Sequence, residues 1–331
     1  MKRARRILVI GGLAAGPSAA SKAKRTNPEC EVVLFEQGEH VSYGICEIPY
    51  YIGGEVARLV VNTPQQLREK KGVDVRILHR VEEILPNKRK IVVRDLRNAR
   101  TAEEPYDRLI VATGSRPKKL GVQGEDARNV FTVKSLSDAF GIQNYLDTEK
   151  PKRAVIIGGG YIGVEMADAL RRREMDVTML HAHSIPMHGL EREAGDAARS
   201  EIEHHDVRFV AHAVTEGFVV DRQQRVQHVV TKNETLETDI VIVAVGVQPN
   251  SEVAKSAGIR VGSSSGILTD NRQMTNHDNI FAAGDCCEVR NVVNNKFMFL
   301  PLATIASKQG WTAGENAAGG KAIFGGAIRA I

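Results

Sequence analysis

The sequence predicts an α/β fold with two Rossmann-like dinucleotide-binding domains, the second inserted into the first. Three observations carry this expectation. A strand, a glycine turn and a helix open the chain in "RRILVIGGLAAGPSAASKAKRTNPECEVVLFEQ". The same unit returns in "KRAVIIGGGYIGVEMADALRRREMDVTMLHAHS". Two matching segments, "YDRLIVATGSRPKK" (106–119) and "TDIVIVAVGVQPN" (238–250), frame the second unit. At 331 residues the chain is long enough for two domains that each bury a core.

In the first unit the uninterrupted apolar run Ile7–Ile10 reads as a buried strand. Gly11 and Gly16 stand at the first and third positions of a G-x-G-x-x-G turn, with Leu13 in place of the middle glycine. Such a turn sets backbone N–H groups and a positive helix end against a pyrophosphate. The second strand, Glu31–Phe35, ends at Glu36, an acid placed to hold ribose hydroxyls. A Gly- and Tyr-rich stretch follows, "HVSYGICEIPYYIGG" (40–54), carrying the single cysteine Cys46. The strand of 106–119 then runs into the tight turn Ala112-Thr113-Gly114, which leads out of the first domain.

In the second unit the strand Ala154–Ile157 leads into a complete fingerprint, Gly158, Gly160 and Gly163. Its second strand ends not in an acid but in His181, Ala182 and His183. An acid there would repel a 2′-phosphate, so its absence removes the main bar to NADP. Histidine is only a hydrogen-bonding group and not an arginine clamp, so NADH and NADPH both stay open. A metal role for His181, His183 and His188 is the alternative, although their spacing fits no zinc pattern. After the mirror turn at 238–250 come "GILTDNRQMTNHDNIFAAGDC" (266–286) and a helix with small residues on one side in "FLPLATIASKQGWTAGENAAGG" (299–320). The expected domains are therefore 1–117 with 249–322, and 118–248.

Composition narrows the function. Apolar residues make up 42% and charged residues 26%, and no apolar run approaches the roughly 20 residues of a membrane helix, so a soluble protein is expected. The basic, apolar start resembles a signal peptide, but Gly11 and Gly12 break it at once. Cys30, Cys46, Cys286 and Cys287 have no disulfide-framework spacing, which points to a reducing compartment and makes the cytoplasm the default. The net charge of +5 is scattered and aromatics are only 5%, which argues against nucleic acid.

The ordered set "GGLAAG" with Glu36, "ATGSRP", "GGGYIG" with Glu165, and "FAAGDC" resembles the pyridine nucleotide–disulfide oxidoreductase family over nearly the whole chain. The resemblance implies that the first domain binds FAD and the inserted one NAD(P)H. Gly11, Gly16 and Glu36 would hold the ADP half of FAD, Thr113 and Gly114 would pack on it, and Asp285 would bond its ribityl or pyrophosphate region. Gly158, Gly160, Gly163, Glu165 and His181 would serve the nicotinamide coenzyme, and Tyr161 would cover its pocket. The chain lacks both a close cysteine pair and a CxxC, and "SYGICEIPYYIGG" resembles the single-cysteine branch of coenzyme A-disulfide reductases, coenzyme A persulfide reductases, and NADH oxidases and peroxidases.

In that branch a hydride passes from NAD(P)H to the flavin and two electrons reach the counterpart of Cys46, whose thiolate then attacks a disulfide or persulfide sulfur. By the same resemblance Lys22, Arg25, Ser42 and Lys71 would contact coenzyme A. The runners-up are an NAD(P)H oxidase or peroxidase using a sulfenic acid at Cys46, helped by His40, and a flavoprotein passing electrons to a quinone, metal or protein. Cys30 is expected at the surface, and Cys286 and Cys287 as packing residues. Two features depart from the family. Glu47 beside Cys46 should raise the thiol pKa unless it points into solvent. Relatives continue into an interface domain that mediates dimerisation, whereas here residues 323–331 read as the start of its first strand, so any homodimer is expected to be weakened.

Overall fold

The computed structural model describes residues 5–187 and 189–328. The chain forms two compact units, one comprising the chain up to Tyr43, Val60–Arg116 and Gln248 onward, the other Gly44–Leu59 and Pro117–Val247.

The first unit is built on a parallel five-stranded sheet in the order Ile280–Ala282, Arg108–Val111, Arg6–Ile10, Glu31–Glu36, Asp74–Ile77. Its strands are apolar without alternation because helices or a second sheet cover both faces; Ile7, Leu8 and Val9 are fully buried. On one face lie the helices Ala15–Thr26 and Ala303–Ala317, packed through Ala19, Ala20, Ala23, Ala313 and Ala317. On the other, the antiparallel sheet His79–Leu85, Lys90–Asp95, Thr101–Pro105 adds Ile84, Ile91 and Val93 to the core. The strand order turns back on either side of Arg6–Ile10, so the crevice at the C-terminal strand ends is where such a sheet binds ligands.

A charged network ties the covering sheet to the strands Arg6–Ile10 and Asp74–Ile77: Glu104 accepts from Arg6 at 2.7 Å and from Arg76 at 2.7 Å. Burial pushes the Glu104 carboxyl up, but the two guanidinium groups more than offset it and leave it below its ordinary value. A depressed folded-state pKa gives stability that is present above the unfolded value, about 4.3, and is lost as pH falls through the folded one. Glu104→Gln is therefore expected to melt at a lower temperature at pH 7 and to lose less on acidification from pH 5 to 3. Thermal melts across that range decide it; parallel acid slopes for the two proteins would mean that the network contributes nothing.

The second unit repeats the plan with the order Val207–Val210, Asp176–Leu180, Arg153–Ile157, Ile240–Val243, Val130–Thr132, all parallel. The helices Tyr161–Arg171 and Leu136–Glu149 pack within it, the latter opened by a Ser135–Asp138 capping box. Residues 44–59, expected with the first domain, group instead with this unit. The short helix Ile48–Ile52 lies against both of those helices, Tyr51 meets Phe140 edge to face, and Arg173 donates to the Ile52 carbonyl.

Between 321 and 328 the expected strand is reduced to a single bridge, Asn291 to Ala327; residues 329–331 and His188 lie outside the described residues. Among the described residues no helix is long and apolar enough to cross a membrane.

Candidate functional site

The first glycine turn is held from three sides. The Gly11 amide donates to the Phe35 carbonyl at 2.8 Å, and the Gly12 amide to Glu36 Oε2 at 2.6 Å. Gly11 has φ +104°, and a Cβ there would lie 2.1 Å from the Ala112 carbonyl oxygen; one at Gly16 would lie 1.8 Å from the Gly11 oxygen. Both glycines are thus demanded by backbone packing. Glu36 also accepts from the Gly38 amide at 2.7 Å. Burial pushes its carboxyl up while the amides of Gly38, Gly12 and Gln37 pull it down. Each carboxylate oxygen keeps a further lone pair that can face ribose hydroxyls.

The same crevice collects Thr113, Gly114 and Asp285. Asn250 clasps the turn: its amide donates to the Gly114 oxygen at 2.9 Å, its side chain to the Thr113 oxygen at 3.0 Å, and the Thr113 hydroxyl to the Asn250 oxygen at 2.5 Å. The Ala283 amide bonds the Val111 carbonyl, bringing Asp285 alongside, where Oδ2 accepts from Ser115 Oγ at 2.9 Å. Gln309, 2% exposed, accepts from the Gly284 amide at 2.9 Å. Asn250, Ser115 and Gln309 escaped sequence reading because each acts on a turn far away along the chain. The local hint is only that all three lie in segments that flank or follow the two turns, Ser115 in 106–119, Asn250 in 238–250 and Gln309 in 299–320.

The second unit reproduces the turn. The Gly158 amide donates to the Leu180 carbonyl at 2.8 Å, and a Cβ on Gly158 (φ +115°) would lie 2.3 Å from the Ala244 oxygen. A Cβ on Gly163 would lie 1.9 Å from the Gly158 oxygen. Gly160 differs: nothing lies within 4 Å of where its Cβ would stand. No protein atom requires glycine there, so the open space fits the close approach of a ligand pyrophosphate, and the turn fits a dinucleotide. Tyr161, 53% exposed, opens the helix, and Glu165 follows one turn on with burial pushing its carboxyl up. His181 is buried, and its Nδ1 accepts from the Gly159 amide at 3.0 Å.

Cys46 is exposed, on the 3₁₀ turn Ile45–Glu47 that runs into Ile48–Ile52. Ile48, Pro49 and Ile52 are buried, so the segment is anchored by its apolar side while the thiol faces outward. Glu47 is exposed and folds back over Gly44, its Cδ 2.8 Å from that residue's would-be Cβ. Cys30 corrects the expectation of a surface thiol: it is 1% exposed, packed with Ala23 and Val73, and burial pushes its pKa up. Cys286 and Cys287 are both buried, as packing residues should be.

The four residues expected to meet coenzyme A are less uniform. Lys22 pairs with Glu315 at 2.8 Å. Arg25 is exposed one turn further along the same helix, and Lys71 is exposed in the last turn of Pro64–Lys71. Ser42 has φ +50°, and its hydroxyl accepts from Asn62 at 3.0 Å.

Comparison with known proteins places these features. The sequence pattern of the family described as pyridine nucleotide-disulphide oxidoreductase matches residues 5–310. The NAD(P)H coenzyme A polysulfide/persulfide reductase of Pyrococcus horikoshii is 34% identical over 327 residues, 98% of this chain and 72% of the relative. The crystal structure of reduced Bacillus anthracis CoADR-RHD superposes with a TM-score of 0.93 at 32% identity, over 98% of this chain and 58% of that one. The water-forming NADH oxidase of Lactobacillus brevis, bound to NADH, superposes with a TM-score of 0.92 at 29% identity, over 98% and 71%. The chain thus spans 58% of the CoADR-RHD chain and about seven-tenths of the other two.

Proposed function

Because the chain belongs to the pyridine nucleotide-disulphide oxidoreductase family, we propose that it is an FAD-dependent NAD(P)H oxidoreductase whose single exposed cysteine reduces coenzyme A disulfide or persulfide. The observation that carries this reading is that, of four cysteines, Cys46 alone is exposed, on a segment that buried apolar residues anchor. When bound, FAD supplies the two-electron carrier between NAD(P)H and sulfur.

The residues of the chain divide the remaining work. Gly11, Gly16, Glu36, Thr113, Gly114 and Asp285 hold FAD, and Gly158, Gly160, Gly163, Glu165 and His181 hold the nicotinamide coenzyme, whose pocket Tyr161 covers. The Cys46 thiolate attacks one sulfur of the disulfide, forming a mixed disulfide and expelling the first coenzyme A as thiolate. Two electrons and a proton then release the second and restore the thiol.

The test is anaerobic NAD(P)H oxidation by FAD-loaded protein with coenzyme A disulfide: one NAD(P)H consumed and two thiols formed per disulfide is expected. A flavin that NAD(P)H reduces without any thiol formation would show that the acceptor is something else. The likeness to the Lactobacillus brevis NADH oxidase favours one second reading, in which Cys46 cycles through a sulfenic acid. Stoichiometric peroxide turnover without a thiol substrate would select it.

Lys22 and Arg25 provide the substrate-binding prediction. Lys22 must exchange Glu315 for a coenzyme A phosphate, whereas Arg25 is already exposed. Exposed charges each contribute little, on the order of 0.2–1 kcal/mol, so Lys22→Ala with Arg25→Ala is expected to raise KM for the coenzyme A substrate about twofold to thirtyfold at unchanged kcat. An unaltered KM removes both from the substrate site.

A further inference from the structure

The two glycine turns differ in the group that holds them. In each unit the first turn amide, of Gly11 or Gly158, bonds a carbonyl at the end of the second strand, Phe35 or Leu180, at 2.8 Å. In each, the next amide bonds the side chain of the residue after the one whose carbonyl is bonded. In the first unit this is Gly12 to a carboxylate oxygen of Glu36, and in the second Gly159 to Nδ1 of His181. Gly159 is further held by the Met187 amide, which donates to its carbonyl at 2.6 Å, and its would-be Cβ lies 3.0 Å from His181 Cγ. Since Nδ1 accepts, it carries no proton, and the ring is the neutral tautomer with its hydrogen on Nε2.

We propose that His181 is the positioning residue of the second glycine turn and that it makes nicotinamide-coenzyme binding proton-sensitive. The proposal rests on the reading that the second unit binds NAD(P)H. A proton on Nδ1 turns the acceptor into a donor facing the Gly159 donor, in a site where the ring is 7% exposed and water cannot mediate. The freed amide immediately precedes Gly160, beside which the pyrophosphate must come. Among the described residues, the charged and titratable groups around the ring include His183, 5.3 Å away edge to face, His212 on the loop whose Ala213 amide bonds the His181 carbonyl, and Arg199, stacked over the Phe209 ring that lies 6.1 Å from it. Burial and the accepted amide both oppose protonation, so binding is full in neutral and alkaline solution and falls only towards the acid end of the range.

The experiment is titration calorimetry of NAD⁺ binding to the FAD-loaded protein from pH 5.5 to 8, since NAD⁺ lacks the 2′-phosphate that would itself titrate. Wild type is expected to bind more weakly at pH 5.5 than at pH 8, by about threefold or more. His181→Asn, whose Oδ1 can take the same amide without titrating, should bind within a few-fold of the alkaline wild-type value with no pH slope. His181→Leu should bind weakly throughout. A flat wild-type profile, tighter binding in acid, or a slope that survives His181→Asn but vanishes in His183→Asn would overturn the proposal. Absence of NAD⁺ binding at every pH with FAD retained would instead defeat the coenzyme reading beneath it.

Discussion

Cys46→Ser is expected to lower turnover with coenzyme A disulfide by about a thousandfold or more, while NAD(P)H still reduces the flavin at an undiminished rate. The loss follows from chemistry. A serine hydroxyl stays protonated at neutral pH, and an alkoxide–sulfur bond is no substitute for a mixed disulfide, so the attacking step has no second route. The retention follows from structure. Cys46 is exposed and the segment is anchored by Ile48, Pro49 and Ile52, so removing its sulfur should shift stability by no more than about 0.5 kcal/mol. Stopped-flow reduction of the flavin, read beside steady-state thiol release, separates the two halves. Wild-type thiol release by the serine variant would remove Cys46 from the reaction.

Gly314→Ala is expected to destabilise the first unit by about 2–4 kcal/mol and to empty its dinucleotide site. Alanine normally stabilises a helix interior relative to glycine, by about 0.8–1.0 kcal/mol. Here a Cβ at Gly314 would lie 2.1 Å from the Ala19 carbonyl oxygen, and one at Gly310, one turn earlier, would lie 2.4 Å from the Ala15 oxygen. The helices Ala15–Thr26 and Ala303–Ala317 cross backbone to backbone, so neither can yield without carrying the Gly11–Gly16 turn with it. The overlap therefore outweighs the propensity.

Gly141→Ala supplies the control. Its Cβ would meet the Phe131 ring at an ordinary 3.6 Å, so propensity should win there and the melting temperature should rise. Thermal melts and flavin content of both variants decide the point; a stabilised Gly314→Ala would mean that the crossing relaxes freely.

The two dinucleotide units were legible because each is written in about thirty consecutive residues. Apolar runs that must be buried on both sides lead into glycines whose spacing the turn geometry dictates. The places of Glu36, Asp285, Thr113 and Gly114 in the fold were legible for the same reason, as they sit at strand ends or turns within those local segments. Cys30 was misjudged because its neighbours in sequence, Asn27, Pro28 and Glu29, are those of a surface turn. Its burial comes from Ala23 and Val73, and no local pattern reports the packing of a helix and a distant loop on one strand.

By itself the sequence determined the two glycine-turn units, their order, the lone cysteine between them and the absence of an acid after the second unit's second strand. All of these are local facts about residue type and spacing. Only the tertiary structure decided that residues 44–59 pack with the helices of the second unit, that Asn250 clasps the Thr113–Gly114 turn, and that His181 replaces a carboxylate as acceptor for a turn amide. Each of these joins groups between 22 and 137 residues apart. Which distant donor finds which acceptor is set by how sheets and helices bury their apolar faces together, a property of the whole core and not of any stretch within it.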